Sequence, residues 1–191
     1  MENIKVGFAM TGSFCTFDRA LTQIEHFISL GADVVPIMSY NAYNTDTRFG
    51  DSAVYIEKIE SLTGHKIIAT LKDAEPIGPK NLVDVMVVLP CTGNTLAKLA
   101  LGIYDTPVTL AVKSHLRNQK SVVIGVSTND ALSNTAKNIG TLLNYKHYYF
   151  VPMSQDDSDK KPFSVVCDFE RTYETVEYAL MGKQIEPIIF N

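Results

Sequence analysis

Apolar residues along this chain fall into short unbroken runs, separated by helix-length stretches in which they recur every three or four positions. Residues 4–10 form the first run, and Phe17, Leu21, Ile24 and Phe27/Ile28 then follow at helical spacing until Gly31 offers a stop. Residues 33–38 predict a second strand, 39–48 a polar turn, and about 51–62 a helix ending at Gly64. Residues 66–70 read as a third, weaker strand, and 83–89 as a fourth and the clearest one. Helices over 95–101 and 108–117, a fifth strand over 121–126, a helix over 129–143 and a sixth strand over 148–151 continue the alternation.

Strands that are apolar throughout, alternating with helices, imply a sheet buried on both faces and joined by right-handed crossovers. The expected fold class is α/β: a three-layer αβα, doubly wound, mostly parallel sheet of about six strands. Ligands of such sheets sit outside the carboxyl ends of the strands. Residues 155–162 break the pattern with a charged, Pro-terminated segment, which reads as a solvated connection or else as an active-site flap or subunit contact. A closing helix over 170–181 stops at Gly182, and the apolar tail Ile185, Pro187, Ile188, Ile189 and Phe190 is expected to dock on the core or on another subunit. The expectation is one domain over 1–191, with the charged segment at about 153–162 as a loop.

Composition narrows the function classes. The chain has 191 residues, 46% of them hydrophobic and 20% charged, which suits one well-filled core. It lacks an apolar run of the ~20 residues that span a bilayer, and residues 1–6 do not resemble a secretory signal, so a cytoplasmic location is expected. Cys15, Cys91 and Cys167 are odd in number and far apart, which predicts reduced thiols and no metal site. A net charge of −4 without a Lys/Arg cluster argues against nucleic acid and membrane surfaces as partners.

Candidate chemistry gathers at the strand-to-helix turns. Thr11-Gly12-Ser13 follows the first strand, Ser39 the second, Thr92-Gly93-Asn94-Thr95 the fourth, and Ser127-Thr128-Asn129 the fifth. Each alone reads as a capped helix start. Together, on one sheet edge, they predict a ring of hydroxyls, amides and helix N-termini with little positive side-chain charge, suited to a flavin mononucleotide or a dicarboxylate. The turn Thr11 to Ser13 is neither a dinucleotide fingerprint nor a P-loop. Cys91 reads as a buried small hydrophobe, or else as a thiol beside a helix N-terminus. His26 and His115 are expected on polar helix faces, His147 in a loop that could reach the ligand edge, and Lys113 and Arg117 on a solvated face.

The turn at residues 90–95 also carries a resemblance. Pro-Cys-Thr-Gly-Asn-Thr and the helix after it resemble the Pro-Ala-Ser-Ala-Asn-Thr motif of the flavoprotein family that includes the homo-oligomeric flavin-containing Cys decarboxylases. Thr11-Gly12-Ser13 is similar to that family's first Gly-x-x-Gly-Ser turn, and Asn129 to the Asn of its Pro-x-Met-Asn motif. Within the family, three features resemble the B-subunit group of the dipicolinate synthases of spore-forming bacteria. They are the Phe-Cys-Thr-Phe opening of the first helix, the segment 152–162 and the ending 180–187.

The resemblance implies a Rossmann/flavodoxin-like fold and a homo-oligomer. It also implies an oxidoreductase component, active only with the Rossmann-type dipicolinate synthase A subunit, that turns a dihydrodipicolinate-level precursor into dipicolinate during sporulation. An assembly partner of that A subunit without redox chemistry, or a flavoprotein with another substrate, are the alternatives. FMN would be the cofactor, with NAD(P) entering through the A subunit. Thr11, Gly12, Ser13, Ser39, Thr92, Gly93, Asn94, Thr95, Ser127 and Asn129 would bind it, and Asn94 and Asn129 are also the catalytic candidates. The departures matter too. Residues 75–79 stand where the decarboxylases carry a His, His65 lies far upstream, Thr128 replaces the motif's Met, and the charged segment replaces a Gly-rich flap. Cys decarboxylation is therefore not expected.

Overall fold

The computed structural model describes residues 3–190. The single domain expected over 1–191 includes residues 1, 2 and 191, which lie outside the described residues. Five strands run parallel: β1 (Lys5–Met10), β2 (Asp33–Met38), β3 (Val85–Cys91), β4 (Val122–Thr128) and β5 (Tyr148–Phe150). Two more, β6 (Met153–Asp157) and β7 (Lys161–Cys167), join antiparallel, giving one seven-stranded sheet in the order β2-β1-β3-β4-β7-β6. β4 serves two neighbours on one side: Val122 to Ile124 pair with β5, and Ser127 and Thr128 pair with β7.

The helices are α1 (Phe17–Ser29), α2 (Tyr40–Asn44), α3 (Ser52–Thr63), α4 (Leu71–Ala74), α5 (Gly93–Leu101), α6 (Pro107–Leu116), α7 (Ala136–Leu143) and α8 (Thr172–Leu180). α1 packs with α3 and α8, while α5 packs with α6 and α7. β3 is buried along its whole length and β1 everywhere except Lys5, as strands covered on both faces must be. α1 buries the stripe Phe17, Ala20, Leu21, Ile24 and Phe27 against this sheet, a 3.6-residue period with polar residues opposite. Gly64 ends α3 in the left-handed region at φ 70, its N–H bonded to Glu60 O.

The structure corrects three sequence expectations. Residues 66–70 do not form a strand; Ile68 makes one parallel bridge to Ile37, with Met38 N–H donating to Ile68 O and Ile68 N–H to Pro36 O. The segment 155–162 is not a loop but the end of β6, a tight turn and the start of β7. Asp157 Oδ1 accepts from the N–H groups of Asp159 and Lys160, which builds that turn without glycine. Nor does a helix begin at Asn129. Asp130 O accepts from Ser133 and Thr135 N–H, and its carboxylate accepts from two threonine hydroxyls, so residues 130–135 turn around Asp130 and α7 starts at Ala136.

The apolar tail docks on its own chain. Ile185 is buried, Met153 N–H donates to Ile188 O, and Phe190 N–H donates to Met153 O. Gln184 behaves as a strand neighbour for β5: its Oε1 accepts from Phe150 N–H at 2.7 Å and its Nε2 donates to Phe150 O at 2.7 Å.

Candidate functional site

Strand order reverses between β1 and β3, because β2 lies on one side of β1 and β3 on the other. The crevice outside the carboxyl ends of two such strands is the usual binding place in an open parallel sheet. Here Thr11 ties the two strand ends together. Its Oγ1 donates to Pro90 O at 2.7 Å and accepts from Thr92 N–H at 3.0 Å, while its own N–H donates to Pro90 O.

A cavity of about 1050 Å³ opens beside this staple. Gly12 and Ser13 from the β1 turn, Thr92, Gly93 and Asn94 from the α5 start, and Ser127 and Asn129 from the end of β4 line it, as the sequence predicts. Ser13 and Ser127 hydroxyls lie 2.9 Å apart and bridge the first and third of these walls. Thr92 stands at the N-cap of α5 without capping it; its Oγ1 lies 3.3 Å from Thr95 Oγ1 instead. The first internal bond of α5 runs from Leu96 N–H to Thr92 O, so the N–H groups of Gly93, Asn94 and Thr95 precede it without a side-chain cap. That is an anion-friendly terminus.

Three of the expected residues do not line the cavity. Thr11 is buried in the staple, Thr95 is buried behind Thr92, and Ser39 caps α2 by accepting from Ala42 N–H. Cys91 is likewise buried, and burial pushes its thiol pKa well up, so it is no thiolate beside the helix start. His147 lies at the opposite, amino edge of the sheet, where its O accepts from Val122 N–H. His65 is also at that edge, 2.6 Å from the carboxylate of Asp33. His115 is fully buried on α6, not on a polar face.

The cavity also holds charges that the sequence did not assign to it. Arg19, Arg48 and Lys161 line it, together with Asp130 and Asp156, so the ring of neutral groups is not short of cations. β7 is bonded to the carboxyl end of β4, and that pairing carries the hairpin residues Asp156, Lys161, Ser164 and Val166 to the cavity wall. Asp156 Oδ2 accepts from Lys161 Nζ at 2.8 Å, and this bond raises the lysine pKa. Asp130 accepts from Thr128 Oγ1 at 2.6 Å and Thr135 Oγ1 at 2.7 Å. The flap reading of the charged segment was the signal for Lys161 and Asp156. Arg48 ends a turn read only as polar, and Arg19 sits on a helix whose pattern gives no hint of a site.

The flavoprotein family model matches residues 1–177. The chain belongs to the flavoprotein family. Among its relatives, the dipicolinate synthase B subunit of Bacillus subtilis is 44% identical over 99% of this chain and 94% of its own length. The crystal structure of the dipicolinate synthase B subunit from Bacillus halodurans superimposes with a TM-score of 0.91 at 42% identity, covering 100% of this chain and 99% of that one. Burkholderia xenovorans DmrB, solved in complex with FMN, shares the fold with a TM-score of 0.69 at 15% identity, over 94% of this chain and 96% of that one.

The residues present fit the family's flavin. About 1050 Å³ is ample for a mononucleotide, since ligand cavities run to ~300–1,000 Å³. Uncapped N–H groups of α5 and the Ser13–Ser127 pair give the neutral donors a phosphate needs. A Cβ added to Gly12 would make ordinary van der Waals contact with the Phe14 ring at 3.5 Å and Asn41 Cβ at 3.6 Å, so the wall there is bordered by these two side chains. Among the described residues no histidine lines the cavity, and no group of three or more His, Cys, Asp or Glu is placed to hold a metal ion. No helix among them is long and apolar enough to cross a membrane.

Proposed function

We propose that this chain is the flavin-carrying B subunit of a two-component dipicolinate synthase, acting with its A subunit on a dihydrodipicolinate-level precursor. The observation that carries this reading is the full-length, 44% identical relationship to a dipicolinate synthase B subunit. The polar, cation-bearing cavity at the switch point of the sheet supports it. Aromatising a dihydropyridine dicarboxylate removes a hydride and a proton. Bound FMN would supply the hydride acceptor.

The chain's own residues bind and orient. Ser13, Ser127 and the N–H groups at the start of α5 hold the phosphate end, and the amides of Asn94 and Asn129 orient the ring edge or a substrate carboxylate. Asp156 is tied to Lys161, which leaves Asp130 to take up the proton through the lone pairs its threonines do not use. Exposed apolar side chains, among them Phe49, Phe163, Met181 and Ile189, support self-assembly of the chain.

The test is an assay of this chain, of the A subunit, and of the two mixed, each with and without FMN, followed by dipicolinate formation and flavin absorption. Flavin-dependent product from the mixture supports the reading. A colourless chain that takes up no FMN yet restores activity to the A subunit would make it an assembly partner instead.

A further inference from the structure

Two positive side chains at the cavity have no carboxylate partner among the described residues. The guanidinium carbon of Arg19, on α1, lies 4.3 Å from the ring centre of Phe169, and that of Arg48, in the loop after α2, lies 4.9 Å from the ring centre of Phe49. Neither takes part in an ion pair among the described residues, whereas Lys161 is matched by Asp156. Each guanidinium sits over an aromatic ring and neither makes a side-chain hydrogen bond among the described residues, so their N–H groups are available to read a planar carboxylate with two parallel hydrogen bonds.

We propose that Arg19 and Arg48 are the specificity-determining cations of this cavity and that each takes one carboxylate of a planar heterocyclic 2,6-dicarboxylate. The inference rests on the functional reading above and deepens it. Charge supports it: Lys161 and Asp156 cancel, and Asp130 lies against the positive end of α5. Two arginines then remain for a ligand of charge −2. They come from different segments, Arg19 from α1 after β1 and Arg48 from the loop after α2, and both line the same cavity. An acid with one carboxylate would engage only one of them. A flavin phosphate is the other anion these cations could hold, and the experiment separates the two.

The experiment titrates the full chain, by itself and mixed with the A subunit, with pyridine-2,6-dicarboxylate, with pyridine-2-carboxylate and with FMN. Wild type is expected to bind the dicarboxylate about tenfold or more tightly than the monocarboxylate. Arg19→Gln and Arg48→Gln should each weaken the dicarboxylate about tenfold, erase most of that preference, and leave FMN affinity within about threefold. Arg48 lies on an exposed loop, so its variant keeps the test valid if loss of the Arg19–Phe169 stack perturbs folding. Unchanged dicarboxylate binding in both variants overturns the assignment, as does a loss confined to FMN, which gives the cations to the phosphate. Wild type that binds no dicarboxylate and makes no dipicolinate with the A subunit overturns the functional reading itself. Wild-type turnover with unaffected variants overturns only the arginines.

Discussion

The carboxylate of Asp130 occupies the space a side chain on Gly93 would need: a Cβ there would lie 2.5 Å from Asp130 Oδ1, 2.8 Å from Thr135 Oγ1 and 3.0 Å from Thr128 Oγ1. The first residue of α5 and the turn after β4 are therefore packed backbone against carboxylate, and the cavity wall depends on a missing methyl group. Gly93→Ala forces the Asp130 cluster apart. It is expected to destabilise the protein by about 1–3 kcal/mol, the usual cost of overpacking, and to weaken FMN binding. Urea unfolding with an unchanged midpoint would contradict this.

Thr11 is buried at the switch point and does not line the cavity, which gives it a structural part there. Thr11→Val keeps the shape but strands the Thr92 N–H and removes a donor from Pro90 O, both at buried or half-buried positions. An unpaired group there costs about 1–3 kcal/mol, and Thr11→Ser should restore most of it. Thermal unfolding of the three proteins checks the order wild type, Ser, Val. A Val variant as stable as wild type would remove the staple from the account.

The parallel half of this fold is legible because burial on both faces writes β1, β3 and β4 as uninterrupted apolar runs. The hairpin β6–β7 is not, because Met153–Asp157 carries polar and acidic residues and is held by pairing to β7, a long-range contact with no local signature. The helix expected at Asn129 fails for a related reason: Thr128, Asp130, Ser133 and Thr135 satisfy one another and outcompete helical bonds until Ala136. Of the site, the turns after β1, β3 and β4 are visible as capping residues. Arg19 and Arg48 are not, since a surface arginine looks the same in sequence whether it faces bulk water or a cavity.

Asn94 is exposed at the second position of α5, and its side chain makes no hydrogen bond among the described residues. Asn94→Ala should therefore leave the unfolding midpoint unchanged, within about 0.5 kcal/mol, because no partner is stranded. If the amide holds the ligand, FMN affinity or joint activity with the A subunit should fall about tenfold, one good hydrogen bond. Fluorescence titration of FMN and the two-component assay measure both sides. Full activity in the variant would release Asn94 from the site.

His115 sets a pH dependence far from the cavity. Its Nε2 lies 3.0 Å from Ser121 O, so the neutral ring donates there, while Nδ1 is buried with no hydrogen-bond partner among the described residues. Burial, aided by the nearby Lys120 charge, lowers its pKa from 6.5 to about 4, against smaller opposing effects of the Ser121 carbonyl and Asp84. The unfolded chain thus binds a proton between about pH 6.5 and 4 that the folded chain refuses, and stability falls as pH drops through that window. The full loss is on the order of 3 kcal/mol at pH 4, with a plateau above about pH 6.5. His115→Gln keeps an N–H donor for Ser121 O but cannot titrate. Its urea stability should be flatter between pH 4 and 6.5 than that of the wild type. Parallel profiles for the two proteins would show that another group drives the acid response.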